Sequence, residues 1–203
     1  IAAVLSVFNI FVSEKIRNNI RRNKQYSVIP CGINLDIFYP IEMKIARQKL
    51  NFDQGKVYVL FSSGFDNSVK NSALAFSGIN LLQMDIELIE LKNKNREEVN
   101  LLLNACNLLI LTSISEGSPQ IIKEAMACNC PIVSTDVGDI REVISDTEGC
   151  YISLFNPDDV ADKIKLAIEF NKKTNGREKI KHFDNNLIAK KIYEIYQMIV
   201  SKK

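Results

Sequence analysis

From Lys56 onward short β-rich apolar runs alternate with stretches of helical spacing, and this alternation restricts the fold more than any other feature. Residues 57–62, 86–91, 108–112, 131–135 and 150–153 read as strands. Helical spacing runs over 72–82, 95–104, 119–128 and 140–145, and Asn156-Pro157 opens a further helix. Asn95, with Glu98 three residues later, is a capping-box start. A strand followed by a helix returns the chain to the edge where the strand began, so successive strands run parallel and need helices on both faces. The expected class is α/β, a doubly wound parallel sheet.

The flanks read differently. Residues 7–12 suggest a buried strand, with Ser13 as the N-cap of a helix to about Asn23. Pro30 and Gly32 then break regular structure, residues 41–50 regain helical spacing, and 186–200 form a long amphipathic helix. The apolar start is too short to span a bilayer and lacks a signal-peptide pattern. With Ile rather than Met at position 1, the chain reads as a piece of a longer polypeptide.

Composition removes several functions. A net charge of +2 gives no footprint for nucleic acid, and the basic run at 17–24 reads as a solvated helix end. Cys31, Cys106, Cys128, Cys130 and Cys150 are odd in number and have no zinc or redox spacing, so they read as reduced packing residues of a cytoplasmic protein. His182 is the only histidine, which excludes a histidine-rich metal centre.

In a parallel sheet ligands bind beyond the carboxyl ends of the strands. Loops 63–71, 113–118 and 136–139 all follow strands and should open on one edge. In the middle loop Ser118 is expected as an N-cap with Pro119 in the first helical position, leaving the amides near Gln120 and Ile121 free at a positive helix end suited to phosphate. Gly117 would admit a ligand close to the backbone. Glu116 lies in the loop, and Glu124 lies one turn below Gln120 on the same face. Carboxylates beside a phosphate site make sense if they face hydroxyls, as a nucleotide sugar requires. Lys70 in the neighbouring loop would supply positive charge. Asp139, with Glu142 three residues on, is expected to cap the next helix.

The run from Glu116 to Cys128 (EGSPQIIKEAMAC), with seven residues between its glutamates, resembles the signature of GT-B glycosyltransferases of the large retaining family 4. The resemblance continues through Pro131-Ile132-Val133-Ser134-Thr135-Asp136-Val137-Gly138 to Glu142-Val143-Ile144. Upstream, Val28-Ile29-Pro30-Cys31-Gly32-Ile33-Asn34 is similar to that family's "IPNGVD" and Phe38-Tyr39-Pro40 to its "F.P". The resemblance implies a Rossmann-like, C-terminal donor-binding half of a GT-B fold. Residues 1–25 would be a remnant of the N-terminal acceptor domain, 26–45 an interdomain linker, 46–185 the nucleotide-sugar domain and 186–203 a helix crossing back. It also implies that Glu116 contacts sugar hydroxyls and acts in catalysis with Lys70, which grips the diphosphate. Glu124 would hold the ribose, and the backbone of Gly117, Ser118, Pro119, Gln120 and Ile121 the sugar and phosphates. Leu91 and Lys92 would lie by the base. The implied donor is a UDP- or GDP-sugar, with no metal or other cofactor. The implied acceptor is a glycan or a lipid-linked molecule, which would bring the protein to the periphery of the inner membrane face, and many relatives build bacterial polysaccharides.

The chain departs from the pattern in three places. Gly64 stands where an Arg is usual, Asn71 where a Gly follows the Lys, and about one strand–helix unit is missing before Glu116. Rival readings are a degenerate, non-catalytic nucleotide-sugar module and a sugar-nucleotide epimerase, the latter disfavoured by the scarcity of histidine. A glycosidase built on the two glutamates is disfavoured by the phosphate-ready helix end. A receiver module is disfavoured because Asp66 has no acidic partners.

Overall fold

The computed structural model describes residues 6–20 and 25–201. A small parallel pair, β1 (Asn9–Phe11) and β2 (Tyr26–Val28), is joined through helix α1 (Glu14–Asn18). Helix α2 (Met43–Leu50) leads into the main unit, in which strands and helices alternate. These are β3 (Val57–Phe61), α3 (Ser72–Asn80), β4 (Ile86–Glu90), α4 (Arg96–Ala105), β5 (Leu108–Leu111), α5 (Gln120–Ala127), β6 (Ile132–Thr135), α6 (Ile140–Ile144), β7 (Cys150–Ser153) and α7 (Pro157–Phe170). A short helix α8 (Gly176–Lys179) and the long α9 (Asn185–Val200) follow.

The five main strands are all parallel, in the order β4-β3-β5-β6-β7. From β3 the chain moves outward to β4, then returns past β3 to build the other side from β5. That reversal opens a crevice between the ends of β3 and β5. The strand period of two sends Tyr58 and Leu60 to one face, where they join Leu103 of α4, Ile122 and Met126 of α5 and Ile140 of α6. Val59 and Phe61 point to the other face, against Leu74 and Ile79 of α3 and Val160 and Ile164 of α7. Burying each such side chain contributes about 1.5–3 kcal/mol, so both helix layers are held by the same strands. The doubly wound α/β sheet expected from the sequence is the observed one.

Local signals mostly act as expected. Asn95 and Glu98 form the full capping box of α4, and Asn156 caps α7 with Pro157 behind it. Ser13 caps α1 by accepting from the Ile16 amide, but the helix ends at Asn18, and residues 21–23 of its expected extension lie outside the described residues. The expected buried strand at 7–12 is the three-residue β1, in which only Phe11 is buried. Helix α9 begins one residue early under an Asp184 cap, and only Ile188 on it is buried.

Two arginines fasten the segment before β3 to the main unit. Arg177 donates to the carbonyls of Phe38 (2.5 Å), Leu35 (2.8 Å) and Ala127, which ties the Phe38-Tyr39-Pro40 stretch to the end of α5. Arg47 of α2 is 3% exposed and donates to the carbonyls of Ala105, Asp53 and Gln54 and to Asn107 Oδ1. Replacing it with Met orphans the buried Ala105 carbonyl and removes the donor that the Asp53 and Gln54 carbonyls and Asn107 share. Arg47→Met is therefore expected to lower stability by about 3 kcal/mol, read from the urea midpoint at unchanged slope.

Candidate functional site

The loops after β3, β5 and β6 meet at the carboxyl edge of the sheet. After β3, Asn67 caps a 3-10 turn (Ser68–Lys70) by accepting from the Val69 amide, and Asn71 takes a left-handed conformation with φ of 52°. The Thr112 hydroxyl, at the end of β5, donates to the carbonyls of Lys70 (3.1 Å) and Asn71 (2.9 Å), and the Ile114 amide donates to Val69. So the two loops are sewn together before any side chain of the site is considered. Lys70 Nζ then reaches Glu116 Oε1 at 2.5 Å, and the Ser113 hydroxyl donates to the same oxygen at 2.7 Å. This pair is mostly covered, at 20% and 14% exposed, so the two residues assigned to catalysis lie side by side.

Glu116 is fixed from below by an arrangement that sequence reasoning missed. Lys123 has no exposed surface and donates to Ser118 Oγ at 2.6 Å. Ser118 in turn donates to Asp139 Oδ2 at 2.6 Å, and the lysine is 3.7 Å from that carboxylate. The Phe183 ring lies 5.2 Å from the ammonium. Burial pulls the Lys123 pKa below its ordinary value, and Asp139 and Cys31 oppose the shift. The expected roles of Ser118 and Asp139 are thereby corrected. Pro119, not Ser118, occupies the N-cap position of α5 with no side-chain cap, and Asp139 makes no cap bond to α6. A buried ammonium competes for both side chains more strongly than backbone amides do. A lysine at an apolar-facing helix position, in Ile121-Ile122-Lys123, was the available signal.

Backbone packing completes the frame. Gly138 has φ of +60°, and a Cβ there would come within 2.6 Å of the Gly117 carbonyl oxygen. Gly117 itself makes room for Ile16 of α1, whose Cδ1 would be 3.2 Å from a Cβ at 117. The side of Gly117 on which a Cβ would stand faces Ile16.

At the start of α5 the amides of Gln120 and Ile121 have no partner among the described residues. They form the positive helix end that the sequence suggested. The Gln120 side chain turns away and donates to the Gly32 carbonyl at 2.9 Å. Glu124 is partly buried one turn below. Burial pushes its pKa up to about 7, against an opposing pull from Arg96, the first residue of α4. At β4, the Leu91 amide donates to Ser63 O and is not a free donor for a base, while Lys92 pairs with Asp66 above Gly64. His182 is exposed against Phe183, away from these loops. No group of three or more His, Cys, Asp or Glu able to hold a metal occurs among the described residues.

The model of the family described as glycosyl transferases group 1 matches residues 81–185, which hold α4, the Glu116–Glu124 segment and the Asp136–Gly138 loop. The chain belongs to this family. A relative is N,N'-diacetylbacillosaminyl-diphospho-undecaprenol alpha-1,3-N-acetylgalactosaminyltransferase of Campylobacter jejuni, 25% identical over 226 residues, covering 94% of this chain and 60% of that protein. Sucrose-phosphate synthase from Thermosynechococcus elongatus matches in structure with a TM-score of 0.85 at 19% identity, over 99% of this chain and 60% of that one. Anabaena HepE, in complex with UDP and glucose, matches with a TM-score of 0.80 at 16% identity, over 97% and 65% of the two chains. The chain thus spans 60–65% of the length of these three proteins. The parallel sheet flanked by helices is the GT-B arrangement of these structural neighbours.

Other features of this group 1 chain lie apart from the loops. Cys106, Cys128 and Cys130 are buried free thiols, and burial pushes Cys130 up to about 11. A cavity of ≈ 410 Å³ bordered by Pro40, Met43, Asn107, Pro131, Ile168 and Lys173 lies at the amino ends of β5 and β6, on the opposite edge of the sheet. No helix among the described residues is long and apolar enough to cross a membrane.

Gly138→Ala forces both a strained φ and a collision with the Gly117 carbonyl, so it is expected to cost about 2 kcal/mol in urea unfolding. Glu124 gives a pH-dependent check. Its folded pKa is raised, so the folded state holds a proton that the unfolded state releases, and a stability cost builds as pH rises from about 4.3 to about 7. Glu124→Gln removes that cost. Its Tm gain over the parent is expected to be absent near pH 4, to grow to about pH 7 and to stay level above it; a pH-independent difference contradicts the assignment.

Proposed function

We propose that this chain is the nucleotide-sugar-binding part of a retaining, family 4 type glycosyltransferase that moves a hexose-type sugar to a glycan or lipid-linked acceptor. The observation that carries the reading is the meeting of the Lys70–Glu116–Ser113 cluster with the unpartnered amides of α5 at the carboxyl edge, beside the β3–β5 crevice. Relatives named for transfer to diphospho-undecaprenol substrates, and a neighbour solved with UDP and glucose, support the substrate class.

In this reading the diphosphate lies at the start of α5. When the bond from the sugar to the diphosphate breaks, negative charge gathers on the departing phosphate. The Gln120 and Ile121 amides and Lys70 stabilise it without needing a metal, because they are already oriented and need not reorganise. Glu116, held by Ser113, accepts hydrogen bonds from sugar hydroxyls. Glu124, facing the start of α4, accepts from the ribose. Residues 46–185 form the donor domain, and 1–25 belong with the acceptor domain of a longer chain. Ile16 against Gly117 is where the two parts touch. The acceptor comes from that other side, at the periphery of the inner membrane face when it is lipid-linked.

Calorimetric titration of UDP-, GDP- and ADP-sugars is expected to find at least one donor that binds, with Glu124→Ala weakening it about tenfold, or 1.4 kcal/mol. The 203-residue chain is expected to bind this donor without transferring sugar. Binding of no donor, indifference to the Glu124 change, or robust transfer by this chain each counts against the proposal.

A further inference from the structure

We propose that Lys92 is a phosphate-binding residue, parked across Gly64 by Asp66 and exchanging that carboxylate for the diphosphate of the nucleotide sugar. This rests on the nucleotide-sugar reading above and adds a residue to the grip on its charged part. The loop after β3 is stitched to the end of β4 by three contacts. The Leu91 amide donates to Ser63 O at 3.0 Å, the Phe65 amide to Glu90 Oε2 at 3.0 Å, and Lys92 Nζ to Asp66 Oδ2 at 2.7 Å. The aliphatic stem of Lys92 lies directly on Gly64, where a Cβ would be 3.1 Å from Lys92 Cδ and 2.7 Å from Asp66 Oδ1. The missing side chain at 64 is what lets the lysine cross the loop. Its charge is thereby placed beside the strand that borders the crevice.

Among the cations paired with the loops after β3, β5 and β6, Lys92 is the one that is both exposed and beside the crevice. A diphosphate brings two phosphate groups into a region that already holds Glu116, Glu90, Asp66 and Asp136. The Lys123 side chain of α5 is fully buried, and Lys70, which serves the diphosphate in the reading above, already has its charge offset by the covered Glu116. Arg141 pairs with Asp136 at 2.8 Å, on α6 beyond β6 and two strands away from β3. Lys92 and Asp66 are 45% and 70% exposed, so solvent screens their pair and it is readily exchanged. A lysine on a flexible stem suits such a transfer between anions. Asp66 then has two effects: it positions the lysine and competes for it.

The experiment titrates UDP, GDP, ADP and their nucleosides into the parent chain and into Lys92→Met, Lys92→Arg and Asp66→Asn, by calorimetry at low salt. Lys92→Met is expected to weaken the best nucleoside diphosphate about tenfold while leaving its nucleoside unchanged. Lys92→Arg should stay within about threefold of the parent, and Asp66→Asn should tighten binding about threefold. Diphosphate binding that Lys92→Met leaves unaltered, or equal weakening of the nucleoside, overturns the role of Lys92 and leaves the nucleotide-sugar reading standing. If no nucleoside diphosphate binds the parent chain, that reading falls and this inference falls with it.

Discussion

The site depends on a lysine with no exposed surface. Lys123 points from α5 into the space between the loops that follow β5 and β6, and an ammonium placed there must find partners. It finds Ser118 and, through it, Asp139, one from each loop. Removing either partner would leave a buried charge incompletely solvated, which is far costlier than losing a surface ion pair. The two loops therefore behave as one piece. Gly138 makes the same connection through the backbone, because only a residue without Cβ can lie against the Gly117 carbonyl with φ of +60°. Glu116, two residues before Ser118, inherits its position from both.

This arrangement decides the electrostatics of the edge above it. The carboxylates of Glu116, Asp136 and Asp66 each have a cation within 2.8 Å. With these carboxylates matched, the amides of Gln120 and Ile121 at the start of α5 are donors without a partner among the described residues. Pro119 occupies the capping position and brings no side-chain acceptor to them. Had Ser118 capped the helix, its hydroxyl would occupy one of these amides. Because Lys123 and Asp139 claim that hydroxyl, the helix end stays open to an external anion. The buried lysine thus acts on the site twice, by fixing Glu116 and by keeping the helix uncapped.

The sheet was legible from sequence because its signals are local and repeated. Strands buried on both faces read as apolar runs, and Asn95-Glu98 and Asn156-Pro157 announce helix starts through bonds to their own backbone. The misreadings share a cause. Ser118 and Asp139 have the right residue types for caps, but they lie 21 positions apart and are claimed by each other and by Lys123. Local propensity cannot register a partner that the fold supplies. Gly117 likewise has a neighbour that no local signal announces, since Ile16 approaches it from about a hundred residues away. Glu116 and Glu124 stand out in sequence because they lie within one short motif, whereas the Lys70–Glu116 contact spans 46 residues, and only the shared edge of their loops was expected.

Glu124 shows how the same frame shapes a second carboxylate. It lies on another face of α5 from Lys123, and its own partial burial limits the water around it. The opposing charge, Arg96, belongs to α4, and it does not cancel the burial effect that holds Glu124 near a pKa of about 7. A carboxylate in that condition gains from hydrogen-bond donors more than a solvated one does, since each donor replaces lost water. Hydroxyl donors from a ribose would meet that need without adding charge, and they would favour the ionised form. The two glutamates of the motif are therefore physically different groups. Glu116 is already matched by Lys70 and Ser113, while Glu124 is under-solvated and has no hydrogen-bond donor among the described residues.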